Sequence, residues 1–404
     1  MLTYQFIARD PASGQRITSQ VQAENEKAAA KAIKEQGYAP LEITLAGGEG
    51  RFGNLLKHIK TKDKVIFSRQ LSTLINAGLP LVQALRIVEG QINNQSFKIV
   101  IQKVIADVEA GSAFNVALAA YPKVFNRVFT SLVEAGEASG TLDKALERLA
   151  NQQEKDAEII SKVRGALIYP LIVILVMIAV VTFMVVSVLP HVQEVYTGIP
   201  GAKLPLITVF LLFISHIISH FWWLLIILLI VGVFLTTRWA RSGPGKEVVD
   251  KLKMRAWPID RLFMKVYMAR IARTGETLVA SGVPLLQVMN IIAEAVNNVH
   301  ISRSLAAAAE KVKGGKALSE ALEGDPNFLE LLPNMIKVGE QSGSLENMLG
   351  KTADYYEKEV DNEIKAVSTI IEPVLMIMLG IFALIIVAAV LLPIYGLAGK
   401  INVR

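Results

Sequence analysis

His216 and His220 stand four residues apart, a spacing that puts two imidazoles on one face of a helix. Such a pair could share a metal. A zinc site needs three or four protein ligands, however, and no further ligand is identifiable beside them. The plainer reading is two polar residues at the outer interface of a membrane. Nucleotide chemistry has no carrier. No Gly-x-x-x-x-Gly-Lys-Ser/Thr loop occurs, and Gly315-Lys316-Ala317 lacks both the spacing and the hydroxyl. No His-Glu-x-x-His or Gly-x-Ser-x-Gly stands out. The chain has no cysteine, which removes disulfides and thiolate metal sites. The expectation is a protein that is not an enzyme and takes no cofactor or metal, with polar residues that serve contacts. A net charge of +6 is mild for 404 residues and gives no reason to expect nucleic acid as a partner.

Three groups of polar residues could make such contacts. Gly136-Glu137 and Gly339-Glu340, followed by Gly140 and Gly343, read as turns between helices. There the glycines would cap helices and the glutamates would satisfy free backbone amides. The alternative is a partner-docking surface on each domain. Glu372 sits near the start of an apolar run, and membrane carboxylates usually find a partner. A Lys or Arg of a neighbour would serve; the other reading is a residue at the water interface. Arg238, Arg241, Lys246, Lys251, Lys253 and Arg255 form a basic cluster suited to anionic lipids, at about 1 kcal/mol per residue near the surface. An acidic protein is the rarer alternative.

The elements that position these residues are long and apolar. Hydrophobic residues make up 52% of the chain and charged residues 19%, which points to soluble domains combined with membrane spans. Ile168–Leu189 holds 15 Val, Ile, Leu or Phe residues and no charge, long enough for about 30 Å of hydrocarbon. At about −0.3 to −0.6 kcal/mol each, those residues favour insertion by roughly 5–9 kcal/mol. Ile370–Leu392 holds 15 as well, which outweighs up to about 3 kcal/mol for Glu372. The second span is placed at 206–237, with Trp222, Trp223 and Trp239 as interfacial residues and the hydrocarbon segment at about 221–237.

Basic residues precede the first and third spans and follow the second, so the large regions are expected in the cytoplasm. The loop 190–205 and the tail 393–404 would then be periplasmic. Lys400 and Arg404 in the tail run mildly against this orientation. The N-terminus lacks the pattern of a cleavable signal peptide.

A duplication organises the rest. Ala77-Gly-Leu-Pro-Leu81 recurs as Ser281-Gly-Val-Pro-Leu285, 204 residues later, and Arg69 matches Arg273 at that offset. Gly136–Leu142 recurs as Gly339–Leu345 at an offset of 203, which also relates Pro170 to Pro373. Each copy is a helical domain followed by a span, at 63–167 with 168–189 and at 238–369 with 370–392. The second span is unpaired and returns the chain, so the copies are parallel. Gly78 and Gly282 end one helix, and Pro80 and Pro284 open the next. The spacing predicts helices at about 63–77, 80–91, 95–110, 113–120, 126–135 and 141–164. Their counterparts fall at about 263–281, 284–296, 299–313, 316–323, 327–338 and 344–365. The last helix of each set can run into its span, where Pro170 and Pro373 would kink or break it. Residues 1–45 read instead as three strands and a helix, tethered by a linker at 46–62 whose Ala46–Gly53 stretch is glycine-rich.

The expected fold is therefore an all-α membrane protein: two homologous cytoplasmic six-helix bundles and three transmembrane helices, with a small N-terminal α+β subdomain. Four stretches carry a resemblance to a known family: Phe67–Leu81, Gly136–Gly140, Ala166–Pro170 and Glu372–Leu375. Together they resemble the inner-membrane platform proteins of type IV pili and type II secretion systems, the PilC/GspF family. The resemblance covers nearly the whole chain. It implies a multi-pass protein of the bacterial inner membrane that forms homo-oligomers. Its implied partners are a cytoplasmic assembly ATPase, pilin or pseudopilin subunits and other inner-membrane assembly proteins. Secretion and pilus members share these motifs; the reading favours a type IV pilus. A transporter or channel subunit is a more distant alternative, since three spans are few for a pore.

Overall fold

The computed structural model describes residues 2–9, 16–23, 28, 30, 32–33, 39–45, 59–197 and 206–401. Strands β1 (Leu2–Arg9), β2 (Arg16–Ala23) and β3 (Ala39–Leu45) form an antiparallel sheet in the order β2-β1-β3. Tyr4 pairs with Val21 on one side and Leu45 on the other. Pro40, which has no N–H to donate, lies on edge strand β3 beside a register shift. Residues 28, 30, 32 and 33 are helical, and Ile33 is fully buried. Pro11-Ala-Ser-Gly14, which reads as a turn between the first two strands, and the linker stretch Ala46–Gly53 lie outside the described residues.

The first bundle comprises α1 (Thr61–Asn76), α2 (Leu81–Gln91), α3 (Gln95–Glu109), α4 (Phe114–Ala119), α5 (Arg127–Ser139) and the start of α6 (Leu142–Phe183). Local chemistry sets its boundaries. Gly78 adopts φ 84°, a left-handed conformation that suits glycine, and Pro80 then precedes α2. Asn94 and Asn126 accept hydrogen bonds from the Phe97 and Phe129 amides, capping α3 and α5. Apolar residues at helical spacing then meet inside. Phe67, Phe97, Phe125 and Phe129 form a buried aromatic cluster, with Phe67–Phe97 ring centroids 5.4 Å apart and Phe125–Phe129 4.8 Å. Each such side chain contributes about 1.5–3 kcal/mol on burial.

The second bundle repeats the plan with α10 (Asp260–Ala280), α11 (Leu285–Ala295), α12 (Val299–Lys313), α13 (Leu318–Leu322), α14 (Leu331–Ser342) and α15 (Leu345–Ile401). Its core is mostly aliphatic: Ile271, Ile301 and Leu332 stand where the first has Phe67, Phe97 and Phe129. Asn298 caps α12 as Asn94 caps α3. The two repeats thus share boundaries and differ in core filling, as volume-tolerant cores allow.

Between the repeats lie a π-helical turn at Met184–Val188, α7 (Leu189–Thr197), α8 (Leu206–Ala240) and α9 (Gly243–Arg255). The π turn precedes Pro190, whose missing N–H would break an α ladder, and the Leu189 amide reaches back to the Met184 carbonyl. Helix α8 leaves helical geometry at Phe221, with φ −117° and ψ 23°. Three helices are long and apolar enough to cross a membrane: α6 with its continuation to His191, α8, and α15.

Three expectations change. Gly136-Glu137 and Gly339-Glu340 are not in turns; they occupy the last turns of α5 and α14. The helices stop at Gly140 and Gly343, whose φ values are 70° and 67°. Thr141 N donates to Gly136 O at 2.8 Å and Ser344 N to Gly339 O at 2.9 Å, the six-residue closure that a left-handed glycine permits. Helices α6 and α15 pass through Pro170 and Pro373 without a break. A further helix, α9, carries most of the basic cluster, opened by Pro244 in its first turn.

Candidate functional site

Gly136 and Gly339 are where two helices touch. A Cβ on Gly136 would lie 2.6 Å from Ala145 Cβ, and one on Gly339 would lie 2.9 Å from Leu345 Cα. In an open helix, Gly→Ala stabilises by about 0.5–1 kcal/mol. At Gly339 the neighbour is backbone, so Gly339→Ala should instead destabilise by about 1–3 kcal/mol. Gly90→Ala, in α2 with nothing within 4 Å, supplies the opposite sign. Urea unfolding of the two variants checks the contrast; equal signs would refute it.

Glu137 and Glu340 reach across their bundles. Glu137 accepts from the Phe114 amide at 2.7 Å and the Asn115 amide at 2.8 Å, at the start of α4. Glu340 accepts from the Leu318 amide at 2.6 Å, the Ser319 amide at 3.2 Å and the Ser319 hydroxyl at 2.5 Å, at the start of α13. A carboxylate suits this place because short helices expose amides and a positive dipole end there. The carboxylates thus tie the helix before each long helix to the shortest helix of its bundle.

A second repeated device clamps the first helix to the last. Arg69 Nε donates to Glu154 Oε1 at 2.6 Å, and Arg273 Nε donates to Glu357 Oε1 at 2.8 Å. Glu154 and Glu357 are related by the offset of 203, a signal in the sequence that Arg69 and Arg273 alone do not reveal. Burial works against the Arg273 charge, but the Glu357 and Asp354 carboxylates raise its guanidinium well above the usual value.

The Glu154 and Glu359 carboxyls are held below their usual value of 4.5 by hydrogen bonds from Arg69 and Lys265. Their stabilisation is complete above that unfolded value and is lost as pH falls through the folded one. Burial pushes Asp156 up against Arg270 and Gln152, which offsets part of the loss. Thermal midpoints of the full chain should hold level from pH 7 to about 5 and fall below it. A midpoint that climbs on acidification below pH 4.5 would contradict these assignments.

The two bundles pack through residues that no sequence motif marks. The Gln152 side chain on α6 donates to Thr274 Oγ1 at 3.0 Å and accepts from Thr277 Oγ1 at 3.0 Å, both on α10. Arg148 donates to the Ala280 carbonyl at the end of α10. Arg127 pairs with Glu294 at 2.5 Å and Lys162 with Asp361 at 2.8 Å. Arg148–Glu346 at 3.9 Å, Lys155–Glu357 at 3.8 Å and Lys162–Asp361 follow in the same order along α6 and α15, which therefore run side by side and parallel. Toward the membrane the same two helices flank an apolar cleft of about 290 Å³, lined by Ile172, Val176 and Val180 on one side and Leu379, Phe382 and Ile386 on the other.

In the apolar region, Thr208 of α8 donates to the Ala389 carbonyl of α15 at 3.2 Å. From Phe221 to Trp239, by contrast, every residue of α8 except Gly232 is exposed. His216 and His220 stack at 5.0 Å, both exposed, with no third His, Cys, Asp or Glu completing a metal cluster among the described residues. Glu372 is exposed on α15, and no hydrogen bond or ion pair to it occurs among the described residues.

The duplicated bundles, each running into an apolar helix, match one family in both copies. The model described as "Type II secretion system (T2SS), protein F" matches residues 67–190 and again 272–393. A second, "Type II secretion system protein F, N-terminal domain", matches residues 1–44.

The chain belongs to the type II secretion system protein F family.

The family's repeat ends at residue 190 and resumes at 272, so α8 and α9 lie outside it. The unpaired span thus lies between the two matched copies. The chain is 36% identical over the whole of both chains to the type IV pilus assembly protein PilC of Thermus thermophilus. It is 34% identical to that of Myxococcus xanthus, over 96% of this chain and 94% of the other. It is 33% identical to type II secretion system protein F of Xanthomonas campestris, over the whole of both. Membership therefore spans two kinds of machine, and these relatives do not separate them.

Proposed function

We propose that this chain is the inner-membrane platform of a type IV pilus, with both bundles in the cytoplasm. It couples a separate cytoplasmic assembly ATPase to the insertion of pilin subunits. One observation carries the reading: α6 and α15 run unbroken from a bundle into a span. The 23 residues from Leu142 to Arg164 extend about 34 Å before the apolar segment begins. A push on a bundle then reaches the membrane through a continuous helix. Pro170 and Pro373 soften that helix near the surface without interrupting it.

Other features fit the same task. The apolar cleft between α6 and α15 suits the hydrophobic segment of an exported subunit. The basic residues on α9 suit anionic lipid headgroups beside the second span. Exposed Glu372, just before Pro373, suits a basic group of a neighbouring chain.

Full-length likeness to secretion protein F favours a second reading, the corresponding platform of a type II secretion system. Gene deletion discriminates. The pilus reading expects loss of surface pili, with pilin retained in the membrane and piliation restored by the gene in trans. Normal pili with failed export of folded proteins to the medium transfers the chain to the secretion machine. Normal pili together with normal export overturns the platform reading.

A further inference from the structure

Because the bundles are duplicated, each carries both halves of the contact that joins them. Within the chain, the first bundle offers α5 and α6, and the second offers α10, α11 and the side of α15 that carries Glu346, Glu357 and Asp361. That contact is head-to-tail, unlike surfaces meeting. The remaining halves are α1 and α2 of the first bundle, and α14 with the side of α15 that carries Lys351 and Tyr355 of the second. No hydrogen bond or ion pair joins them to each other among the described residues. Their exposure differs accordingly: Gln152 and Thr277, which meet in the chain, are each 5% exposed. At the repeat offsets their counterparts are Tyr355, 49% exposed, and Thr73, also exposed.

We propose that the free halves meet between copies, with α15 of one chain docking on α1 of the next. The occupant follows from continuity with the interface already formed, since the mate that the repeat specifies for the α15 face is an α1 face. Charge agrees. Lys351 takes the place of Arg148 and would meet the carbonyl end of α1 at Asn76, as Arg148 meets Ala280. A cation at a helix C-terminus is favourable.

The membrane then decides the form of the assembly. A head-to-tail contact generates a ring if it closes and a filament if it climbs. Here α6 and α15 are parallel, and equivalent apolar stretches flank the same cleft at nearly the same height. Chains fixed in one bilayer cannot climb, so successive bundles lie in one layer, and a turn between them about the membrane normal closes that row into a ring of alternating first and second bundles. This inference rests on the proposed placement of both bundles on one face of the membrane.

The natural chain has no cysteine, which makes the test direct. Full-length chains carrying Thr73→Cys and Tyr355→Cys, with different tags, are co-expressed and treated in membranes with a short bismaleimide. The expected product is a dimer bearing both tags. Adding Lys351→Glu to the second chain should cut it roughly fivefold. A single chain carrying Gln152→Cys and Thr277→Cys should link internally, which shows that the bundles are folded. Three results would overturn the proposal: internal linking with no mixed dimer, dimers formed equally by Thr73→Cys alone, or no effect of the charge reversal. Piliation is not read in this experiment. A negative result leaves the platform reading standing, and failed piliation tests leave the cross-link standing.

Discussion

Replacing Arg273 with alanine should destabilise the second bundle by about 3–5 kcal/mol. Arg273 is 17% exposed and holds three carboxylates: Glu357 at 2.8 Å, Glu276 at 2.6 Å and Asp354 at 2.5 Å. Glu357 is itself only 14% exposed. Truncation therefore strands a largely buried negative charge, and Lys155 at 3.8 Å replaces little of the lost contact. The first bundle supplies the control. Arg69 and Glu154 make the same pair at 37% and 41% exposure, where water screens both charges. Arg69→Ala should cost less than about 1 kcal/mol. Chemical unfolding of the full chain in detergent measures both. Equal losses would show that burial does not set the strength of this pair.

Glu340→Ala should cost about 2–4 kcal/mol, since hydrogen bonds to a charged acceptor are worth about 1.5–3 kcal/mol each. Its carboxylate serves two backbone amides and the Ser319 hydroxyl at the start of a five-residue helix, α13. So short a helix has little cooperativity of its own. Without the cap, the Leu318 and Ser319 amides lose their partner in a part-buried place. Glu340→Gln keeps the shape and should recover part of the loss. Hydrogen exchange at Leu318 and Ser319 reports it locally, and unchanged protection in the alanine variant would refute the capping role.

Much of this architecture is legible in the sequence because the chain states it twice. Gly78-Leu-Pro80 and Gly282-Val-Pro284 mark the same corner, and the two apolar runs end the two copies. The legible signals are backbone constraints and long hydrophobic stretches, which act locally. Position within a helix end is harder to read. Glycine suggests a stop, so Gly136 reads as the boundary; the boundary is Gly140, and Gly136 is small because Ala145 crosses it. Two kinds of glycine, one demanded by φ and one by space, look alike in one dimension.

The inter-bundle contact is still less visible. Gln152, Thr274 and Thr277 are ordinary polar residues on amphipathic helices, and only the packing of α6 on α10 buries them. The kink at Phe221 has no proline or glycine at its site to announce it. Helix α9 is masked by its charge, because a basic stretch after a span reads first as a lipid contact.

Labelling from either side of the membrane tests the arrangement most directly. Lys103→Cys and Glu310→Cys place one thiol on an exposed site of each bundle in a chain with no other thiol. A charged maleimide should leave both unmodified in intact spheroplasts and label both once the membrane is permeabilised. If one of the two reacts from outside while the other is protected, the bundles face opposite compartments and the parallel duplicated platform is excluded.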